Sequence, residues 1–102
     1  DSFATDHLAL VIAKGAIERG YDEGMSQPER SFLYMPFQHS EDLDDQQRSV
    51  ALFTALGDAQ QLRYARLHHD VIERFGRFPH RNHALGRKPT AMEIAAGDVV
   101  PW

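Results

Sequence analysis

The sequence contains no cysteine among its 102 residues. This absence excludes disulfide bonds and thiolate zinc sites, and it fits a reducing compartment such as the cytoplasm. Long hydrophobic runs are also missing, because no apolar stretch approaches the roughly 20 residues that span a bilayer. The sequence shows no basic segment followed by an apolar one, which is the pattern of a secretory signal peptide. We therefore expect a cytoplasmic protein that has no membrane partner.

Positive charge is scarce and unevenly distributed. The chain has 11 Lys and Arg against 15 Asp and Glu, and its net charge of −4 argues against a nucleic-acid partner. Residues 63–88, however, hold seven basic side chains and only two acidic ones. This basic segment either pairs with the acidic residues that precede it or forms an anion site, and the charge pattern leaves both interpretations open.

No segment shows the alternation of apolar and polar residues that is typical of β-strands. Apolar residues recur instead at helical spacing. The pattern predicts four main helices, at 3–19, from Ser26 towards Pro36, from the acidic residues 41–45 to Leu56, and at 59–75. Short loops between consecutive helices require antiparallel neighbours. We expect one all-α domain over residues 1–102, built as an antiparallel helix bundle or an α-solenoid fragment.

Several local signals mark the helix boundaries. Residues 26–29 read Ser-Gln-Pro-Glu and residues 90–93 read Thr-Ala-Met-Glu, and both predict capping boxes at helix starts. The second would open a last short helix, followed by an extended tail at residues 101–102. Pro36 should bend or end the second helix, because a proline removes a backbone hydrogen bond and clashes with the previous turn.

The first candidate site is the sequence His39-Ser40-Glu41. An imidazole and a carboxylate that follow a proline-terminated helix could act as a general base and its orienting group. The same residues also suit a helix start, with Ser40 as the cap and Glu41 in the first turn. Both interpretations stay open at this stage.

A second candidate is His68, which shares the apolar face of the fourth helix with Tyr64, Val71 and Ile72. Its position turns the imidazole towards the core. A histidine there is either a buried structural residue with a hydrogen-bond partner or a general base.

The third candidate is the loop that contains Arg77, His80, Arg81 and Asn82. Two guanidinium groups on a loop stiffened by proline form a fork-shaped donor set that suits a carboxylate or a phosphate. The alternative is structural, with the arginines bonded to helix carbonyls or paired with the acidic start of the third helix. The two interpretations have equal weight.

The six histidines raise the question of a metal site. His80 and His83 lie three residues apart, but no spacing matches a known ligand motif. The sequence also lacks a phosphate-binding glycine loop, a nucleophile elbow and a dinucleotide fingerprint. We therefore expect neither a metal nor a cofactor.

Six stretches of the chain are recognisable together, namely Phe3–Asp6, Phe32–Leu43, Gln46, Arg74–Asn82, Leu85–Arg87 and Glu93. They resemble one bacterial family, the domain of unknown function 924. The resemblance implies a fold similar to tetratricopeptide repeats and no assigned activity. It also implies signature positions at His39, Ser40, Glu41, His68, Arg77, Pro79, His80, Arg81, Asn82, Gly86 and Arg87, whereas His69 and His83 depart from the family pattern.

Members of that family are longer, and their first half carries a related motif of the form Asp-Gln-Phe-Pro-Arg-Asn. The resemblance therefore implies that this chain corresponds to the C-terminal half of a member. The predicted first helix is apolar nearly all round, so it needs partners on both faces. We expect self-association or pairing with a separate N-terminal half.

These observations favour a helical binding module for an anionic small molecule or peptide group. Its polar pocket would be formed by His39, Glu41, His68, Arg77, His80, Arg81 and Asn82. One alternative is a hydrolase-like enzyme. Its general base would be either His39, oriented by Glu41, or His68, and Arg77 or Arg81 would stabilise a developing anion. The other alternative is a scaffold that binds protein segments along a groove.

Overall fold

The computed structural model describes residues 2–97, with side chains from residue 5 onward. The elements in chain order are α1 (Ser2–Glu18), α2 (Gln27–Gln38), α3 (Leu43–Leu56), α4 (Ala59–Phe75) and α5 (Ala91–Ala96), with 3₁₀ turns at Tyr21–Gly24 and Pro79–Arg81. The described part of the chain contains no strand, which confirms the all-α prediction. The tail expected at residues 101–102 lies outside the described residues.

Both predicted capping boxes are present. The Ser26 hydroxyl accepts a hydrogen bond from the Glu29 amide, and the Glu29 carboxylate accepts one from the Ser26 amide at 3.1 Å. Thr90 and Glu93 make the same reciprocal pair at the start of α5. These bonds satisfy amide groups that have no partner within the helix, so they fix where each helix begins.

Of the two outcomes predicted for Pro36, a bend or an end of the second helix, the end is wrong, because α2 continues to Gln38. Pro36 lies in the last turn, where the one i→i−4 hydrogen bond that it cannot make is lost near the helix end and does not interrupt a longer helix beyond it. Burial of the next two side chains holds the turn in place, since Phe37 is 0% exposed and Gln38 is 2% exposed.

Ser40 does not cap α3, in contrast to the structural interpretation of the sequence. Asp42 takes that role, and its carboxylate accepts hydrogen bonds from the amides of Asp44 and Asp45. Glu41 therefore precedes the cap and lies outside the first turn of the helix. This shift leaves the Glu41 side chain available for a contact elsewhere in the molecule.

The core forms where α3 packs between α2 and α4, with α1 lying against α2. One buried cluster contains Leu10, Ala13 and Phe37, and a second contains Tyr34, Phe53 and Ala65. Ile17, Leu33 and Leu52 contact both clusters. Because the connections between these helices are short, consecutive helices run antiparallel, as the sequence predicts.

Only one face of α1 is covered by the described residues. Leu8, Val11 and Ile12 are all more than half exposed on the opposite side. Across the described part of the chain, no helix is both long and apolar enough to cross a membrane.

Candidate functional site

The Glu41 carboxylate joins two segments that are distant in sequence. It accepts hydrogen bonds from the Phe78 amide at 2.6 Å and from both terminal nitrogens of Arg87 at 2.8 and 3.1 Å. Arg87 also donates to the Phe78 carbonyl at 3.2 Å. The acidic start of α3 and the turn at residues 78–81, which we call the proline turn, therefore lie side by side.

Buried polar contacts hold the segment that presents Glu41. The Gln46 amide nitrogen donates to the carbonyls of Gln38 and Ser40 at 2.7 and 2.6 Å, and Gln46 is 0% exposed. These carbonyls follow the end of α2, where no intrahelical donor remains. Gln46 thus fixes the backbone on both sides of His39.

A second set of contacts attaches α1 to the same segment. The Ser40 hydroxyl donates to the Asp45 carboxylate at 2.8 Å, and Lys14 pairs with that carboxylate at 2.8 Å. Asp45 is 8% exposed. The polar link joins the C-terminal half of α1 to the first turn of α3.

The charge of Glu41 is used within the fold. Burial raises its pKa, but the hydrogen bonds from Arg87 and the Phe78 amide outweigh that effect and hold the pKa below its ordinary value. Among the described residues, no hydrogen bond joins Glu41 to His39. The predicted pairing of a base with a carboxylate is therefore not formed, and the Glu41 carboxylate is bonded to Arg87 and the Phe78 amide.

Phe78 is the first residue of the proline turn and is 0% exposed. Pro79 favours an extended backbone at Phe78, which turns the ring towards α4. The Arg81 guanidinium carbon lies 4.6 Å from the centre of this ring. The rings of His68 and His80 each lie 5.7 Å from it, centre to centre.

His68 is buried on α4, as its helical position predicts, and its Nδ1 lies 2.6 Å from the Tyr64 carbonyl. Since a carbonyl only accepts, Nδ1 carries the proton in this bond and Nε2 is the unprotonated nitrogen of the neutral ring. Burial lowers the pKa of His68. The His39 ring lies 6.5 Å away, and burial lowers its pKa too.

Two predicted site residues point to α5 instead. Asn82 is buried and donates to the Glu93 carboxylate at 2.6 Å. Arg77 lies 3.8 Å from that carboxylate and donates to the Lys88 carbonyl. Both side chains are engaged by Glu93, which is itself 2% exposed. They hold the C-terminal segment together and line neither of the cavities described below.

A cavity of about 180 Å³ opens between α1, the connection from α2 to α3, and the proline turn. Its walls are Asp6, His7, Leu10, Pro36, His39, Ser40, Glu41, Arg81 and Leu85. A second cavity of about 300 Å³ lies on the other side of His39 and is lined by Met35, Gln38, His39, Gln61, Tyr64 and His68. Of the predicted residues, three therefore share the first cavity, namely His39, Glu41 and Arg81. His68 borders only the second, and His80 borders neither.

No group of three or more histidine, aspartate or glutamate side chains within residues 5–97 is arranged to hold a metal ion. His80 and His83, which are three residues apart, are both exposed. The chemistry that the first cavity offers is that of one guanidinium, one hydroxyl, and imidazole and carboxylate groups.

Comparison with known proteins places this arrangement in a family. The model of the family described as "bacterial protein of unknown function (DUF924)" matches residues 1–96. The chain belongs to this family. A solved structure of a protein of unknown function from Agrobacterium tumefaciens is 47% identical and superimposes with a TM-score of 0.84. No curated protein matches the chain.

The match to the Agrobacterium tumefaciens structure covers 92% of this chain and 53% of that one. This DUF924 chain therefore spans about half the length of the structure that it matches. The family resemblance expected from the sequence is confirmed, and neither match carries an assigned activity.

Sequence reasoning missed two residues of this DUF924 site. Asp6 borders the cavity from α1, and Arg87 neutralises Glu41 from 46 positions away. Local spacing signals neither of them, because both reach the site through tertiary packing. The family resemblance did single out Arg87 as a signature position, without giving it a role.

Proposed function

We propose that the chain is a helical binding module whose first cavity holds the anionic group of a small molecule or a peptide. Arg81 is the charged donor in this proposal. The observation that carries it is the stacking of the Arg81 guanidinium on the buried Phe78 ring, at 4.6 Å, in the wall of the cavity. The neighbouring Arg77 and Arg87 contact Glu93 and Glu41, respectively, and neither of them borders this cavity.

Stacking suits Arg81 to this role for a geometric reason. A guanidinium that lies on an aromatic ring keeps its N–H donors in its own plane, where a carboxylate or a phosphate can approach them. The short turn at Pro79–Arg81 and the buried ring limit the orientations of the side chain. Burial lowers the pKa of Arg81, but an arginine stays protonated at any physiological pH.

Other groups in the cavity complete the proposed binding site. His39 offers a largely neutral ring that can donate or accept, whereas the Ser40 hydroxyl already donates its proton to the Asp45 carboxylate. Leu10, Pro36 and Leu85 add apolar surface. A ligand with one anionic group and a short apolar portion therefore fits the wall chemistry, in the manner of small-molecule sites that place few polar groups on a mainly apolar surface.

A hydrolase-like enzyme is the second candidate. It is favoured by one observation, that the neutral His39 ring and the Arg81 guanidinium border the same cavity. A general base and an anion-stabilising donor are two parts of such a site. Glu41 does not supply the third part, because its oxygens are bonded to Arg87 and Phe78.

A scaffold role stays a prediction that rests on the expected groove of a tetratricopeptide-like fold, and self-association stays a prediction that rests on α1. Leu8, Val11 and Ile12 lie at helical spacing on one exposed face, which a second copy of the chain could cover about a twofold axis. Light scattering over a range of concentrations tests this, and a chain that stays monomeric throughout would contradict it. The resemblance to tetratricopeptide repeats and the cytoplasmic location are likewise predictions.

Thermal unfolding in the presence of carboxylates, amino acids, short peptides and inorganic phosphate tests the binding proposal. A ligand at a hundred times its Kd should stabilise the chain by about 2.7 kcal/mol. Arg81→Gln should remove this response. Arg74→Gln is the matched control, because Arg74 stacks on the Phe75 ring at 5.0 Å outside the cavity. The proposal fails if no compound stabilises the chain, or if both variants respond like the wild type.

A further inference from the structure

Residues 77–97, which we call the C-terminal strap, are joined to one another by polar contacts. The Glu93 carboxylate is the centre of these contacts. It accepts hydrogen bonds from the Asn82 side chain at 2.6 Å and from the Thr90 amide at 3.0 Å, and Arg77 lies 3.8 Å away. Each of these contacts lies within the strap, so each is independent of how the strap meets the helices.

The strap contributes one buried apolar side chain to the molecule. Phe78 is 0% exposed, and its ring meets the His68 ring of α4 edge-on at 5.7 Å, centre to centre. From residue 79 to residue 97 the buried side chains are those of Asn82 and Glu93, which bond to each other. The exposed apolar residues of the strap include Leu85, Met92 and Ile94. Burial of apolar surface therefore attaches the strap near its first residue.

The Glu41 carboxylate provides a second, polar attachment. It accepts hydrogen bonds from the Phe78 amide at 2.6 Å and from Arg87 at 2.8 and 3.1 Å. The side chains of Glu41 and Arg87 are 25% and 26% exposed, so water reaches both charges. A pair that water can solvate as it separates resists separation less than a buried pair does.

Gly76 joins the strap to α4. It ends the helix in the left-handed conformation, with φ of 73°, and a Cβ built there would meet no atom within 4 Å. Glycine has the widest range of backbone conformations, and this one is not confined by its surroundings. The backbone can therefore turn at Gly76 without disturbing the packing of neighbouring side chains.

We propose that the strap opens as one unit about Gly76 while α1–α4 stay folded. The Glu41–Arg87 pair is the latch of this motion, and the buried Phe78 ring is the plug. The contacts centred on Glu93 survive the opening, whereas the latch and the plug separate. Segments with few buried apolar contacts are the ones that open below the free energy of global unfolding.

The opening has a consequence for the first cavity. Arg81 and Leu85 belong to its wall and to the strap, so both leave the wall when the strap opens. The closed strap is then the form that binds the anion. This consequence rests on the proposed function, whereas the opening itself does not.

Amide hydrogen exchange of the 102-residue chain, measured by NMR without ligand, tests the opening. The Phe78 amide reports it because Glu41 accepts its hydrogen bond, and the Phe53 amide in α3 reports unfolding of the bundle. We expect Phe78 to be at least about tenfold less protected than Phe53. Urea should accelerate its exchange less, since the strap exposes less surface than the bundle. Equal protection and equal urea dependence would overturn the inference.

The variant Val50→Ala separates the two kinds of opening. Val50 packs against the cluster of Tyr34, Phe53 and Ala65, which stays intact when the strap opens. The substitution should accelerate exchange of the Phe53 amide about tenfold and leave that of Phe78 unchanged. Equal acceleration of both amides would show that the strap opens only together with the bundle, and would overturn the proposal.

The latch is tested by Arg87→Gln. The variant should accelerate exchange of the Phe78 amide about tenfold, because it removes a charge-assisted contact from the closed form. Arg66→Gln is the control, since it removes the same charge from an exposed position on α4 and should leave the rate unchanged. An unchanged rate in Arg87→Gln would exclude the ion pair as the latch.

Propionate tests the link between the strap and the cavity. At ten times its measured Kd it should slow exchange of the Phe78 amide about tenfold, because it binds the closed form alone. Binding without this slowing would overturn the link. A chain that binds no propionate would count against the proposed function, and the opening would still be decided by Phe78 and Phe53.

Discussion

Glu41 and Arg87 form a two-point ion pair across 46 residues of chain, with nitrogen–oxygen distances of 2.8 and 3.1 Å. The pair joins the start of α3 to the segment that follows the proline turn. The same carboxylate accepts the Phe78 amide, so the turn that carries Arg81 is attached at its first residue. Through these hydrogen bonds Glu41 holds the wall of the cavity that contains Arg81 in position.

Replacing Glu41 by glutamine should lower the free energy of unfolding by about 2 kcal/mol, because Arg87 keeps a partly buried charge without its partner. Urea unfolding measures the change. Adding Arg87→Gln to this variant should cost much less than it does in the wild type, since the pair is already broken. Glu18→Gln should stay within about 0.5 kcal/mol of the wild type. Additive effects of the two substitutions would contradict a direct pair.

Stability should decrease as the solution is acidified below the ordinary histidine pKa of 6.5. Burial lowers the pKa of His39 and of His68 in the folded chain, whereas the unfolded chain takes up these protons near 6.5. The unfolded state therefore binds more protons in this window and gains stability as the pH falls. Urea unfolding between about pH 7.5 and about pH 5.5 should show this slope, and the double variant His39→Gln with His68→Gln should flatten it. A double variant whose stability changes with pH as steeply as that of the wild type would contradict the conclusion that the His39 and His68 rings are buried and neutral.

The aromatic support of Arg81 should matter for affinity. Phe78→Leu keeps an apolar side chain at the buried position but removes the ring, and the loss of the cation–π contact should weaken binding of anions by about tenfold. Phe75→Leu removes a comparable contact with Arg74 away from the cavity. Titration calorimetry should find that the Phe75→Leu variant binds the same ligand with the affinity of the wild type. Equal affinities in the two variants would exclude a role for the stacking.

Gln46 should be important for the shape of the cavity although it does not border it. Gln46→Met has a similar shape but leaves the carbonyls of Gln38 and Ser40 without their donor, which should cost about 2 kcal/mol of stability. Amide hydrogen exchange should become faster in residues 38–41. Gln47→Met, at an exposed neighbouring position, should change neither quantity. Slow exchange retained in Gln46→Met would argue that other contacts hold this segment.

The sequence predicted the helices well because their determinants are local. Apolar spacing, the capping boxes and the glycine stops lie within a few residues of the boundaries that they set. Gly57 and Gly76, which end α3 and α4, adopt the left-handed backbone that favours glycine. The continuation of α2 past Pro36 has a tertiary origin, since the burial of Phe37 and Gln38 extends the helix beyond the proline.

The candidate site was less predictable because its charges are divided among distant partners. Residue type alone could not decide that Arg87 would pair with Glu41, or that Arg77 and Asn82 would contact Glu93. From the sequence alone, the basic residues of the loop are equivalent hydrogen-bond donors. Only the packed arrangement distinguishes Arg81, which stacks in the cavity wall, from the arginines that fasten the loop.

The most direct test of the anion site is a titration of the isotope-labelled chain with propionate and with alanine, followed by NMR. We expect saturable chemical-shift changes of the Arg81 Nε–H resonance and of the His39 and Ser40 amide resonances. The amide resonances around the exposed Phe32 should not shift. Arg81→Gln should remove these shifts. The absence of saturation, or shifts centred on Phe32, would contradict an anion site at Arg81.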